Sequence, residues 1–165
     1  MKIEDTKYTG GNLEKGNDFF ITDKYNKRYH FKITSVSIGS QMLLYDATEV
    51  IKEGSNDEPY IFKTMTDVDE DPLYAKDLLK AKIKKGIDKR HLDFAFGKRS
   101  IKQKENDDLF GRMECSNDLL GSAFDTYFVV DGKRITVEEL VQMLEPYTGF
   151  NFKFTIYDPY DDLPE

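Results

Sequence analysis

The hydrophobic residues of this chain change period along its length. Tyr29, Phe31 and Ile33 alternate with His30, Lys32 and Thr34. An apolar residue at every second position suits a strand with one face in a core. Ala75, Leu79, Ile83 and Ile87 then recur at a spacing of four, with Leu78 beside them, the stripe of an amphipathic helix. Near the end Phe150, Phe152, Phe154 and Ile156 alternate with Asn151, Lys153 and Thr155, the clearest strand pattern in the sequence. A chain carrying both periods has to bury one side of sheets and one side of helices, so the expectation is an α+β fold.

Local signals place the other elements. Phe19, Phe20 and Ile21 suggest a short strand, and Gly39-Ser40 a turn. Met42 to Val50 and Tyr60 to Met65 read as further strands, and short connections between consecutive strands favour an antiparallel meander. Asp71 can cap a helix whose first position is Pro72, where the missing N–H is no loss. Leu92, Phe94 and Phe96 alternate, suggesting a core strand after that helix. Leu109 to Cys115 and Thr126 to Asp131 look like strands, and Asp131-Gly132 is a turn signal. Thr136 and Glu139 form a capping box, and Val137, Leu140, Val141 and Leu144 make one helical face behind it. The expected architecture is a mainly antiparallel sheet with two principal helices, 72–90 and 137–145, packed on one face.

The expected domain plan is a loosely ordered lead-in over 1–17, a single α+β domain over 18–157 and an acidic, solvated tail over 158–165. The domain can be divided into subdomains 18–96 and 109–157, joined by loop 97–108. At 165 residues and 39% hydrophobic content the chain can bury a core without disulfides or metals. No stretch reaches the roughly 18 apolar residues of a membrane span. The first residues lack the apolar run of a signal peptide, and Cys115 is the only cysteine. These features point to a cytoplasmic protein of a bacterium or a phage-infected bacterium, with no membrane partner and no cofactor.

Charge is unevenly distributed. Residues 76–104 hold eleven Lys and Arg against three Asp, a local net of +8, while the whole chain carries −7. The rest therefore carries −15. A net negative charge disfavours nonspecific nucleic-acid binding. The basic segment itself could still grip phosphates or an acidic partner through Lys82, Lys84, Lys85, Lys89, Arg90, Lys98 and Arg99. Phe94 and Phe96 lie near enough in sequence to stack on bases, although their alternation suits a core strand better.

Reactive groups are sparse. Asp67, Asp69, Glu70 and Asp71 begin like a calcium loop, but the sixth position is Pro72 instead of glycine and the twelfth is Leu78 instead of glutamate. A magnesium site on Asp67, Asp69 and Asp71 remains open. Carboxylates gathered at a helix N-terminus are the simpler reading. His30 and His91 are far apart, and Cys115 on a strand reads as a small buried hydrophobe. Glu49, Asp67, Asp69, Glu114 and Asp131 are scattered over strand ends with no spacing that selects a catalytic pair. Gly10-Gly11 and Gly16 make no phosphate loop.

Two stretches carry a resemblance. The first contains His30-Phe31-Lys32-Ile33, Tyr60-Ile61-Phe62, Asp69-Glu70-Asp71-Pro72 and Arg90-His91-Leu92. The second runs from Gly111-Arg112-Met113-Glu114 through Val130-Asp131-Gly132-Lys133 and Ile135 to Leu140, ending at Tyr147-Thr148-Gly149-Phe150-Asn151-Phe152. Over about residues 28–158 the chain resembles a bacterial domain-of-unknown-function family. The resemblance implies a compact α+β fold and assigns no catalytic residue.

The expectation for function is a non-enzymatic acidic protein-binding module of the immunity, antitoxin or phage-counterdefence kind, with another protein as partner. The alternatives are a metal-dependent hydrolase using the Asp67–Asp71 loop, and nucleic-acid binding through 76–104.

Overall fold

The computed structural model describes residues 17–102, 108–116 and 126–163. The expected lead-in up to Gly16, with Lys104 and Asp118, lies outside them. The chain divides into two compact units. The first comprises Met1–Lys52, Pro59–Asp88 and Ile156–Glu165, and the second Glu53–Glu58 and Lys89–Thr155.

The first unit is a meander, β1 (Asn17–Thr22), β2 (Arg28–Ile38), β3 (Met42–Glu49) and β4 (Ile61–Asp67), followed by α1 (Pro72–Asp88). The strands pair antiparallel in sequence order. The register sets Phe31 opposite Phe19 and Glu49, and Ala47 opposite Ile33 and Phe62. Tyr29, Phe31 and Ile33 are buried as the alternation predicts, with Tyr45, Ala47 and Phe62 on the same side. Ala75, Leu79, Ile83 and Ile87 of α1 close this core. The Asp71 carboxylate accepts from the Leu73 N–H at 2.9 Å, so the helix begins as the sequence signals.

Two features of α1 differ from its sequence reading. Leu78 is 42% exposed and lies off the core stripe, whereas Lys76 and Lys82 are buried beside it. Long aliphatic stems allow this, provided the ammonium finds partners. For Lys82 the partners are backbone carbonyls: Lys63 O at 2.7 Å, Pro159 O at 3.3 Å and Asp161 O. Lys85 donates to Leu163 O at 2.9 Å, and the Leu163 side chain packs against the core. The tail expected to be solvated is therefore clamped through residues 159–163, because its carbonyls satisfy two helix cations.

The second unit holds a hairpin, β5 (Leu92–Ala95) with β6 (Lys98–Ile101), and a three-stranded antiparallel sheet. That sheet is β7 (Arg112–Cys115), β8 (Thr126–Val130) and β9 (Lys133–Thr136), in that order. Helix α2 (Val137–Leu144) follows, then a 3-10 turn at Glu145–Tyr147. Segment 53–58 adds to this unit through an antiparallel bridge between Asp57 and Lys133. The core gathers Val130, Ile135 and Met143, with Leu92, Leu109, Phe128 and Leu140 against it.

Four expectations are corrected here. Residues 98–101 form β6, not the start of a loop over 97–108. Phe94 is 73% exposed and Phe96 fully exposed, since the hairpin turns at Phe96-Gly97 and carries both rings outward, so neither belongs to a core strand. Helix α2 faces its core with Met143 and Leu140, leaving Val137, Val141 and Leu144 open. Its apolar arc is wider than three strands of four or five residues can cover. Finally, 150–156 is not a strand. The alternation is real, but no strand among the described residues accepts its backbone, and both of its faces are exposed.

Candidate functional site

Reactive groups do not converge. Among the described residues no three His, Cys, Asp or Glu side chains gather closely enough to hold a metal ion, Asp67, Asp69 and Asp71 included. Glu70 N–H donates to Asp67 O at 3.1 Å, closing the turn, and the Asp71 carboxylate is occupied as a cap. Cys115 is exposed on β7, not buried. His30 Nε2 lies 2.6 Å from Asp18 Oδ1, and its ring stacks on Phe20 at 4.4 Å. His91 is buried, and the Asp131 carboxylate accepts from its backbone N–H at 2.7 Å and from that of Leu92 at 2.9 Å. Asp131 thus secures the start of β5 from the turn that joins β8 and β9, which is a structural task.

The basic residues separate into two groups. In the first unit, Lys82 and Lys85 hold carbonyls as described, and Lys84 donates to Thr22 O at 2.9 Å and to Asp88 Oδ1 at 3.1 Å. Burial lowers the pKa of Lys82, and Asp162, Asp161 and Asp158 pull it back upward. In the second unit, Arg99 meets Glu139 at 3.0 Å and donates to Arg134 O at 2.8 Å. Arg90 turns back to the Lys89 carbonyl at 3.0 Å, and Lys98 stands exposed on the hairpin. The run of cations that looks continuous in sequence is largely spent on carbonyls and carboxylates of the fold itself.

The turn from β4 into α1 is exposed. Asp67, Asp69, Glu70, Asp71 and Asp77 are all exposed there. Among them lie Leu73 at 67% exposure and Tyr74 at 53%, with Val68 and Leu78 also exposed. Asp77 meets Lys80 at 3.6 Å. The other four carboxylates enter no ion pair among the described residues. Sequence reasoning singled out the acids and missed the apolar side chains between them. The signal was the i, i+4 spacing of Tyr74 and Leu78, one position away from the stripe that α1 buries.

An α+β protein of two units, each with its own antiparallel sheet and helix, is the class this geometry defines. Residues 14–88 match the family described as Domain of unknown function (DUF7686), and residues 91–161 match Domain of unknown function (DUF7713). Together the two matches span residues 14–161 apart from 89 and 90. No curated protein and no solved structure matches it. No helix among the described residues is long and apolar enough to cross a membrane.

Proposed function

We propose that this protein is a non-enzymatic binding module of the cytoplasm that docks on a basic protein surface through the β4–α1 turn. The observation that carries the reading is the mixture exposed there: carboxylates at 67, 69, 70 and 71, which enter no ion pair among the described residues, around Val68, Leu73, Tyr74 and Leu78. Interfaces join an apolar centre with an aromatic anchor to a polar rim, and acids in the rim speed encounter with a basic target and reject acidic ones. The net charge of −7 adds long-range steering of the same sign. Within this reading the role is that of an inhibitor of the immunity, antitoxin or phage-counterdefence kind, which occupies a basic face of its target.

Affinity capture from the native host at physiological salt tests it. Wild type is expected to retain a stoichiometric basic protein, and the double variant Asp69→Lys with Glu70→Lys to lose it while keeping its circular dichroism. No stoichiometric partner for wild type, or equal retention by the variant, refutes the reading.

A further inference from the structure

The second unit leaves two apolar surfaces uncovered. Val137, Val141 and Leu144 line the outer side of α2 at i, i+4 and i+7, exposed by 44%, 58% and 46%. Phe150, Phe152 and Phe154 form a row just beyond it, exposed by 70%, 92% and 75%. The turn between them is fixed. Thr148 Oγ1 donates to Glu145 O at 2.8 Å, Phe150 N–H donates to Tyr147 O at 2.9 Å, and Gly149 takes the left-handed φ of 89° that this path needs. With the turn so set, the row and the stripe do not cover each other. Residues 151–155 also make no hydrogen bond among the described residues. Their backbone groups are therefore free to form a ladder.

We infer that the occupant of both surfaces is a second copy of this chain. Two copies of 150–155 pair antiparallel about a twofold axis, and the aromatic row of each lies against the α2 stripe of the other. Such an arrangement is isologous: stripe meets row and row meets stripe, so the association closes at two copies. A strand row and a helix stripe are also the elements that pack together in ordinary cores. The alternation selects the register. An axis at Phe152 sets Phe150 against Phe154 of the second copy and Lys153 against Asn151 of the second copy. An axis at Lys153 would set two ammonium groups opposite each other, which is unfavourable.

The area suffices. With about 200 Å² for each fully exposed aromatic side chain and somewhat less for each aliphatic one, the six side chains expose roughly 700 Å² per copy. The two copies together would bury roughly 1,400 Å², inside the range of stable specific interfaces. The surface belongs to the second unit and the acidic turn to the first, so either reading can fail alone.

Sedimentation equilibrium of the full chain tests the inference. Wild type is expected at twice the chain mass of 19.2 kDa. Val141→Lys and Phe152→Lys are each expected to weaken self-association by about 100-fold or more, with unchanged circular dichroism because both side chains are exposed. In a Cys115→Ser background, Phe152→Cys is expected to yield a disulfide-linked pair, which reads the register directly. A monomeric wild type at high micromolar concentration overturns the inference. So does a dimer indifferent to both lysine variants, or an open-ended series of larger species.

Discussion

Phe96 holds a conformation that its side chain does not favour. Its φ is 51° and that of Gly97 is 74°, the pair of left-handed residues that a two-residue hairpin turn requires. The ring is fully exposed and so gains little from packing. Phe96→Asn is expected to raise the denaturant midpoint, worth about 1 kcal/mol, because Asn tolerates this region and a bulky residue does not. An unchanged or lower midpoint would mean that the ring is stabilised by something else. The turn at Asp131-Gly132 was legible in the sequence because both residues announce it. The turn at Phe96-Gly97 was not, because phenylalanine rarely opens one. Lys82 was equally hard to place, since a lysine in a basic helix reads as solvated until the carbonyls around it are known. Lys82→Ala is expected to cost about 2 kcal/mol and to expose the tail to limited proteolysis, with resistance equal to wild type as the contrary result. Burial lowers the folded pKa of Lys82, so just below the ordinary lysine value the unfolded chain binds more protons. Its contribution to stability therefore rises with pH through that window, and Lys82→Met is expected to flatten the rise in a pH series of denaturant melts.

At the scale of elements, periodicity reported what each segment is suited to bury, and packing decided how much it buries. The alternation of β2 and the four-residue spacing of α1 both reached the core because a four-stranded sheet and a seventeen-residue helix cover each other. The capping of α2 was legible too, with Glu139 N–H donating to Thr136 Oγ1 at 3.1 Å. Its orientation was not, because Leu140 lies in the middle of the apolar arc, between Met143 on one edge and Val141 on the other, and only the narrow sheet decides which edge turns inward. The pattern of 150–156 shows the same limit: its alternation suits a strand, and no strand among the described residues pairs with it. Gly86 tests the packing of α1 on β4. A Cβ built there would lie 2.6 Å from Phe62 Cζ. Gly86→Ala is thus expected to destabilise the protein, against the gain of about 1 kcal/mol that alanine brings to a helix interior. A higher melting temperature for the variant would show that the Phe62 ring yields easily.

For the whole molecule, the charge asymmetry was visible in the sequence and its meaning was not. Segment 76–104 is divided between the two units at Asp88–Lys89, and its cations are engaged separately in each. Lys82, Lys84 and Lys85 bind carbonyls of the first unit, while Arg99 serves Glu139 in the second. With those cations engaged, the acids of the β4–α1 turn are left facing water around an apolar centre, and that is why docking on a basic protein is the favoured function. Hydrogen–deuterium exchange of the full chain, alone and saturated with its captured partner, reads this most directly. Slowed exchange in peptides covering 67–78 is the expected result. Binding that leaves those peptides at their free rate while protecting others would contradict it.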